Sequence, residues 1–248
     1  MKLSVVIPIY NELLYIGTVL RRVQNVPMEK EIIVVDDGSF DGTREFLKSI
    51  VEPQEAGHRE ATTRDQWGGP IRTENIKVLF HERNRGKGAA LRSGFEVATG
   101  DILVIQDADL EYDPHDWLEM VSLITEGKAD VVYGSRFYGK PHRALYFHHY
   151  LGNRLISTLI NALCDITLSD VEVCYKMFRR EVLKDLDLSC DGFGFEVEFT
   201  VKVARSQKWR IYETGIHYYG RTYAEGKKIN WRDGLKALWY IFKFRFLV

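Results

Sequence analysis

The sequence contains little cysteine and no long apolar run. Its three cysteines, Cys164, Cys174 and Cys190, form no CxxC pair and cannot all be joined in disulfides, which argues against a structural zinc site and indicates a reducing compartment. No stretch supplies the roughly 18 uncharged apolar residues of a transmembrane helix. The N-terminus enters KLSVVIPIY directly, without the pattern of a signal peptide. We therefore expect a cytoplasmic protein.

An excess of charge of either sign is also missing. Lys and Arg number 34 and Asp and Glu number 35, a formal net charge of −1, so nucleic acid is not an expected partner. The cations nevertheless cluster in three segments, HERNRGKG, GSRFYGKPHR and GRTYAEGKK. Three basic loops in a nearly neutral chain indicate either solvated surface loops or the binding of a polyanionic ligand.

Short apolar runs alternate with helical patterns in the first half of the chain. Strands are expected at 3–9, 31–35, 76–80, 101–105 and 129–134, with helices between them. This order of βα units predicts an α/β fold with a mostly parallel, Rossmann-like central sheet flanked by helices. In such sheets, ligands bind beyond the carboxyl ends of the strands. Four of these strand ends are polar: PIYNE, DDGS, HERNRGKG and DADLE.

Acidic residues alternate in QDADLEYDP, directly after the strand DILVI. Asp107 and Asp109 flank the small residue Ala108, a spacing that suits two oxygen ligands of a divalent ion whose other ligands are substrate phosphates. Glu111 follows at the same interval and is a third candidate ligand. The segment is not an EF-hand loop, because the central glycine and final glutamate of that loop are missing.

Two other strand ends carry candidate ligand-binding groups. DDGS offers Asp36 or Asp37 to a base or ribose, although an Asp–Gly turn is the alternative interpretation. HERNRGKG matches neither the Walker A pattern nor GxGxxG. Its glycines and Lys87 still suit contact with a phosphate beside a helix N-terminus.

Four segments, in this order, resemble family 2 glycosyltransferases of the GT-A fold: VVIPIYNE, IIVVDDGSFDGT, NRGKGAALRSGFEVATGDILVIQDADLEYDP and VVYGSRF. Within that family, the chain most resembles the dolichol-phosphate mannose synthase and polyprenyl-phosphate glycosyltransferase group. The resemblance is strong over residues 1–140 and less specific in SDVEVCYKMFRREVL, GFGFEVEF and RTYAEGKKI. It implies an inverting hexosyltransferase that requires Mg²⁺ or Mn²⁺.

The resemblance also implies a domain organisation. We expect one GT-A catalytic domain over 1–248, with a nucleotide-sugar-binding half at 1–140 and an acceptor-binding half at 141–248 that ends in a helix from about Trp231. The polar stretch 52–75 lacks apolar periodicity and is expected to be a mobile surface insertion.

For the donor, the resemblance implies a role for each matching residue. The residues that would contact the nucleotide are Pro8, Tyr10, Glu12, Asp37 and Lys87, with Asp37 on the base. The donor would be a GDP- or UDP-hexose, either GDP-mannose or UDP-glucose.

The DxD segment has roles of its own in that resemblance. Asp107 would face the ribose and the metal, and Ala108 next to it would contact the substrate. Asp109 would bind the metal directly and is one of the expected catalytic residues. Glu111 stands where mannose synthases often carry Gln and would be an auxiliary metal ligand.

The expected acceptor is a polyprenyl or dolichyl phosphate. Such a phosphate is already anionic and needs cations rather than a general base. Arg136 in GSRF and Arg221 in GRTYAEGKK are the candidates, because a guanidinium clamps phosphate bidentately. Lys227 is a candidate for contact with the donor or acceptor phosphate.

Two alternatives remain open. A family 2 glycosyltransferase acting on a glycan or other hydroxyl acceptor would need a carboxylate base, for which Asp170, Glu196 and Glu198 are candidates. A non-catalytic protein that binds nucleotide sugars is the other alternative, and the intact DxD segment argues against it.

The C-terminal segment ALWYIFKFRFLV combines aromatic residues with Lys243 and Arg245. It indicates either a core helix or a surface helix that places Phe242, Phe244 and Phe246 on the cytoplasmic face of a membrane. Docking on a membrane protein is a further option.

Overall fold

A computed structural model of the chain describes residues 1–51, 71–144, 146–222 and 231–247. The chain divides into two compact units, Met1–Leu110 and Glu111–Val248. The division lies inside the acidic run after the fourth strand, earlier in the chain than the one expected near residue 140. Of the insertion expected at 52–75, residues 52–70 lie outside the described residues.

The first unit contains a parallel sheet and three helices. Its strands are β1 (Leu3–Ile9), β2 (Lys30–Asp36), β3 (Ile76–Phe80) and β4 (Ile102–Ile105). Its helices are α1 (Leu13–Asn25), α2 (Thr43–Val51) and α3 (Lys87–Val97). The strand order is β3-β2-β1-β4, with every pair parallel. The apolar runs of β1, β2 and β4 are almost wholly buried, as expected of parallel strands.

The second unit combines three strands with four longer helices. Its strands are β5 (Val131–Ser135), β6 (Lys176–Arg179) and β7 (Ile211–Gly215). Its α-helices are α4 (Trp117–Thr125), α5 (Phe147–Cys164), α6 (Phe195–Ser206) and α7 (Trp231–Phe242). Strand β5 pairs antiparallel with β6 and parallel with β7. A π-helical turn, Lys243–Leu247, follows α7.

Most of the predicted elements are confirmed. The first five strands appear within a few residues of their predicted bounds, and the C-terminal helix begins at Trp231. Of the two interpretations of the C-terminal segment, the one with Phe244 on a membrane surface is wrong: Phe244 is fully buried, with the Lys202 ammonium 5.3 Å from its ring centroid. Trp239 is exposed on that segment instead. Within the described ranges, no helix is long and apolar enough to cross a membrane.

Candidate functional site

The carboxyl ends of the parallel strands lie at one edge of the first unit. Ile9 pairs with Asp36, and Asp36 pairs with Phe80. The N–H of Gln106 donates to the Val6 carbonyl, so the segment after β4 leaves at the same edge. The polar segments PIYNE, DDGS, HERNRGKG and DADLE therefore start beside one another, as the sequence predicted.

The two aspartates of DDGS have different surroundings. Asp36 is fully buried, and its carboxylate accepts hydrogen bonds from Arg44 Nε (2.7 Å) and the Ser39 N–H (3.1 Å). Asp37 accepts hydrogen bonds from the N–H groups of Arg85 (2.9 Å) and Gly86 (2.7 Å). Asp36 thus has a structural role, and Asp37 connects DDGS to the loop before α3.

A histidine that the sequence reasoning did not select completes this connection. His81 Nδ1 lies 2.6 Å from Asp37 Oδ1, and its Nε2 lies 2.9 Å from Ser93 Oγ. Both His81 and Asp37 are buried. In the structure the Asp37 carboxylate holds the loop before α3 in place. Its contact with a base stays a prediction.

Gly38 is required by the close approach of two loops. Its φ is +79°, and a Cβ atom there would lie 2.6 Å from backbone atoms of Arg83 and Asn84. Any side chain at this position would push the loop HERNRGKG away from DDGS.

Pro8, Tyr10 and Glu12 lie on the segment that leaves β1. Pro8 pairs with Val35 in the sheet. The ring of Tyr10 packs edge-on against Phe40, with centroids 6.0 Å apart, and the backbone N–H of Glu12 donates to Thr43 Oγ1. All three side chains are partly accessible, as residues lining a nucleotide pocket must be.

The predicted phosphate-binding and metal-binding residues of the first unit come together. Lys87 Nζ, at the start of α3, lies 2.8 Å from Asp107 Oδ1. Both side chains are partly accessible, with 14% and 26% of their surface exposed. Ala108 is buried, and Asp109 is again partly accessible. The Lys87 ammonium and the Asp107 carboxylate thus meet at the edge where the strands end, and Asp109 follows two residues later.

The chemistry of these donors suits a hard divalent cation. Asp107 and Asp109 offer only carboxylate oxygens, and Mg²⁺ is commonly held by one or two carboxylates together with substrate phosphates. Among the described residues, no group of three or more His, Cys, Asp and Glu side chains is arranged to hold a metal. An ion held by these two carboxylates would therefore need further oxygen ligands from other groups.

In the second unit, Glu111 contacts two side chains from the segment after β7. Its carboxylate accepts hydrogen bonds from the Tyr218 hydroxyl (3.0 Å), the Arg221 N–H (2.9 Å) and Arg221 Nε (3.2 Å). The predicted auxiliary metal ligand is thus paired with a predicted phosphate-binding arginine. Tyr218 was not selected from the sequence.

Arg136 forms a largely buried ion pair with Asp170. Its Nε and Nη2 each lie 2.7 Å from an oxygen of Asp170, and its backbone N–H donates to the same carboxylate. Asp170 is fully buried, whereas 15% of the Arg136 side chain is exposed. The Tyr218 ring centroid lies 5.3 Å from the guanidinium carbon. Tyr218 therefore contacts the groups around both predicted phosphate-binding arginines.

In the Arg136–Asp170 pair, the attraction between the two charges outweighs the cost of burying them. Burial alone would raise the pKa of Asp170, but the Arg136 charge lowers that pKa below its usual value. Burial likewise opposes the charge on Arg136, yet Asp170 raises the pKa of the guanidinium well above its usual value. Both groups are ionised at neutral pH, and the arginine presents a fixed positive charge.

A network around Asp170 fixes this pair. Asn153 Nδ2 donates to Asp170 Oδ1 (3.0 Å), and the N–H of Asp170 donates to the Glu213 carboxylate (3.1 Å). The next N–H, from Val171, donates to Ser157 Oγ. These partners come from distant parts of the chain, so no local sequence pattern indicated them.

The other candidate residues of the second unit differ in their surroundings. Glu198 is buried and accepts hydrogen bonds from Ser189, Cys190 and Lys202, which is a structural role. Glu196 lies in the first turn of α6 and is also buried. Lys227 lies outside the described residues.

Comparison with solved structures confirms the predicted GT-A type of fold. Glucosyl-3-phosphoglycerate synthase from Mycobacterium tuberculosis, in complex with Mn²⁺, UDP and glucosyl-3-phosphoglycerate, aligns with a TM-score of 0.70 at 18% identity over 98% of this chain and 80% of that one. Mannosyl-3-phosphoglycerate synthase from Rubrobacter xylanophilus aligns with a TM-score of 0.69 at 15% identity over 98% and 72% of the two chains.

Two curated proteins are similar along most of this chain. The dolichol-phosphate mannosyltransferase of Pyrococcus furiosus is 28% identical over 235 residues, which cover 92% of this chain and 61% of that protein. The dodecaprenyl-phosphate galacturonate synthase of Rhizobium johnstonii is 26% identical over 231 residues, covering 92% and 62%. The chain thus spans less than two thirds of the length of these relatives.

The family is shown by a match over most of the chain. Residues 4–187 match the pattern of Glycosyl transferase family 2, a range that includes the polar strand ends of the first unit and the Arg136–Asp170 pair of the second. The resemblance predicted from the sequence motifs is confirmed, and the chain belongs to glycosyl transferase family 2.

Proposed function

We propose that this chain transfers a hexose, with inversion, from a nucleotide sugar to a polyprenyl or dolichyl phosphate. The donor would be GDP-mannose or UDP-glucose. The observation that carries the proposal is the fixed, partly exposed guanidinium of Arg136 on the buried Asp170 carboxylate. Two relatives named for polyprenyl-type phosphate substrates support the same acceptor class.

The first unit would bind the donor. Pro8, Tyr10 and Glu12 would line the nucleotide pocket, and Lys87 would contact its phosphates. Asp107 and Asp109 would hold Mg²⁺ or Mn²⁺. Glu111 would be a further ligand if its carboxylate released Arg221. The bound ion would supply positive charge that offsets the charge of the departing diphosphate. Support comes from a fold relative, glucosyl-3-phosphoglycerate synthase, which was solved with Mg²⁺ and UDP.

The second unit would bind the acceptor phosphate. A guanidinium has five N–H donors, so Arg136 keeps donors for a phosphate while it holds Asp170. Arg221 would add a second cation. Because the phosphate is anionic near neutral pH, its oxygen can attack the anomeric carbon without a general base.

The alternative of a hydroxyl acceptor receives less support. That reaction needs a free carboxylate base, and two of the candidates are engaged. Asp170 is bound by Arg136 and Asn153, and Glu198 is bound by Ser189 and Lys202. The phosphate acceptor remains the better fit.

We further propose that the second unit lies on the cytoplasmic face of a membrane. Its described residues expose two groups of large apolar side chains. On α5 these are Phe147, Tyr150, Leu151 and Leu155, and on the C-terminal segment they are Trp239, Phe242 and Phe246. Exposed aromatic side chains with nearby cations are typical of helices that lie in a membrane interface.

Vesicle sedimentation tests the membrane proposal. The wild-type chain should sediment with vesicles that contain anionic lipid, and Trp239→Ser with Phe246→Ser should reduce that fraction severalfold. Leu118→Ser, at another exposed apolar residue, is the control and should have no effect. Equal sedimentation of all three proteins would contradict the proposal.

The reaction itself is tested with purified protein, Mn²⁺ or Mg²⁺ and radiolabelled nucleotide sugars. The panel contains GDP-mannose, UDP-glucose and UDP-galacturonate, each offered with dolichyl phosphate, undecaprenyl phosphate or soluble hydroxyl acceptors. Label should appear in the lipid phase with one donor. Transfer only to hydroxyl acceptors would contradict the proposed acceptor, and donor binding without any transfer would indicate a non-catalytic protein.

A further inference from the structure

Tyr218 has no role in the proposed reaction so far, yet its backbone is held by two other segments. Its N–H donates to the Pro141 carbonyl (3.2 Å), and its own carbonyl accepts from the Arg143 N–H (2.9 Å). The next N–H, from Tyr219, donates to the Glu111 carbonyl (2.8 Å). The position of Tyr218 is therefore fixed by the segment after β5 and by the acidic run after β4.

The ring of Tyr218 occupies a space that its neighbours leave for it. Its centroid lies 5.6 Å from that of Tyr112, which is buried. Gly220 has no side chain, and a Cβ atom there would lie 2.7 Å from Tyr218 Cε1 and 2.9 Å from the hydroxyl oxygen. Any residue larger than glycine at position 220 would therefore displace the ring.

The Tyr218 side chain links the two predicted phosphate-binding arginines. The guanidinium carbon of Arg136 lies over its ring, 5.3 Å from the centroid, a distance at which the ring face attracts a cation. Its hydroxyl donates to Glu111 Oε2 (3.0 Å), while Glu111 Oε1 accepts from the N–H and the Nε of Arg221. The two arginines are thus connected through one aromatic ring and one carboxylate.

This linkage restricts both arginines without covering them. The Tyr218 hydroxyl binds one oxygen of Glu111 and so directs the other oxygen toward Arg221. The side chains of Arg136 and Arg221 remain partly exposed, at 15% and 17%. Because a cation that is already held in place loses less side-chain freedom on binding a ligand, such a linkage favours the binding of an anion by both arginines.

We propose that Tyr218 is a positioning residue that holds Arg136 and Arg221 in the arrangement in which both bind the acceptor phosphate. The ring orients Arg136, and the hydroxyl orients Arg221 through Glu111. Tyr218 does not touch the reacting atoms in this account. The inference rests on the proposed function in one respect, namely that both arginines bind that phosphate.

Binding of farnesyl phosphate, measured by titration calorimetry without a sugar donor, tests the role of the hydroxyl. Tyr218→Phe keeps the ring and should raise the Kd by about fivefold, as expected for one lost hydrogen bond. The same substitution should have no further effect in an Arg221→Gln background. Tyr212→Phe, at an exposed tyrosine of β7, is the control and should bind as the wild type does. An unchanged Kd in Tyr218→Phe, or an equal loss in the Arg221→Gln background, would overturn the proposal.

The position of the ring is tested at Gly220, because Gly220→Ala displaces the ring while Tyr218 itself is kept. This variant should raise the Kd for farnesyl phosphate severalfold. Gly192→Ala is the matched control, since a Cβ atom there would meet no atom within 4 Å. Equal binding by the two glycine variants would show that the position of the ring does not matter and would contradict the proposal.

Kinetics distinguish positioning from chemistry and from a merely structural role. In Tyr218→Phe, the KM for farnesyl phosphate should rise, while kcat and the KM for the nucleotide sugar stay at their wild-type values. A fall in kcat with unchanged KM would overturn the proposal, because the hydroxyl would then act on the reacting atoms. An equal rise of both KM values would also overturn it, because such a rise indicates a general loss of structure.

The outcomes separate this inference from the proposed function. Equal binding of farnesyl phosphate by wild type and Tyr218→Phe would refute only the role of Tyr218. A wild-type chain that neither binds farnesyl phosphate nor transfers sugar to it would refute the proposed acceptor. A urea-unfolding double-mutant cycle of Tyr218→Phe and Glu111→Gln still tests the contact in that case, because the two losses of stability should not add. Additive losses would contradict the contact itself.

Discussion

The guanidinium of Arg136 holds the carboxylate of Asp170 in a two-point ion pair, with Nε–Oδ2 and Nη2–Oδ1 distances of 2.7 Å. Asp170 is fully buried, and Arg136 keeps part of its surface accessible. The pair therefore fixes the orientation of a cation that still reaches solvent. A fixed cation costs less to align with a phosphate than a mobile one, because its side-chain freedom is already lost.

Removing one partner of this pair should be costly. Asp170→Asn should lower the free energy of unfolding by about 3–5 kcal/mol, since it leaves a buried charge without its partner. It should also raise the KM for the lipid phosphate. Urea unfolding monitored by circular dichroism measures the first effect. Asp187→Asn, at an exposed aspartate, is the control, and equal stability of the two variants would contradict this assignment.

Gly38 provides a test of the loop contact in the first unit. Gly38→Ala should lower the free energy of unfolding by about 2 kcal/mol or more, because it adds a steric clash to an unfavourable φ. Gly127→Ala is a matched control, since Gly127 also has a positive φ (+72°) but a Cβ there would meet no atom within 4 Å.

The difference between these two variants measures the clash with Arg83 and Asn84 alone. Gly38→Ala should in addition weaken binding of the nucleotide, which titration calorimetry with UDP or GDP can measure. A Gly38 variant as stable as the Gly127 variant would show that the basic loop and DDGS are not in close contact.

Glu198 gives a pH-dependent prediction. Burial alone would raise its pKa, but hydrogen bonds from Lys202, Cys190 and Ser189 lower that pKa below its usual value. A carboxyl with a lowered folded-state pKa contributes stability that is present above its unfolded pKa of about 4.3 and is lost as pH falls through the folded pKa.

Glu198→Gln should therefore be less stable than wild type at pH 7, by about 1–3 kcal/mol. The gap between the two proteins should narrow as the pH falls below about 4. Urea unfolding at several pH values measures this gap, with Glu181→Gln as the control. A gap that stays constant with pH would contradict a role for the ionised carboxylate.

Much of the first unit could be predicted from the sequence. Each strand there is a short apolar run with polar residues directly after it, so local pattern alone located Asp37, Lys87, Asp107 and Asp109 at one edge. The contact of His81 with Asp37 could not be predicted in this way. It joins residues 44 positions apart, and a single histidine in a polar loop carries no pattern.

The second unit was predicted less completely, because its contacts also join residues that lie far apart in the sequence. Arg136 was selected for its chemistry, but its partner Asp170 was assigned only as an alternative base. The pairing of Glu111 with Tyr218 and Arg221 spans more than 100 positions. The sequence left open whether Phe244 is buried, because the alternation of Phe242, Phe244 and Phe246 does not show which face of the segment packs inward.

We propose that Asp107, Asp109 and Arg136 are each required for sugar transfer to a lipid phosphate. The most direct measurement is the rate at which radiolabelled hexose enters the lipid phase, with Mn²⁺ present, for wild type, Asp109→Ala, Arg136→Gln and the control Asp187→Ala. The rate should fall by about 100-fold or more in both site variants and in wild type with EDTA, and should be unchanged in the control. Transfer that persists at the wild-type rate in Asp109→Ala or in EDTA would contradict the account.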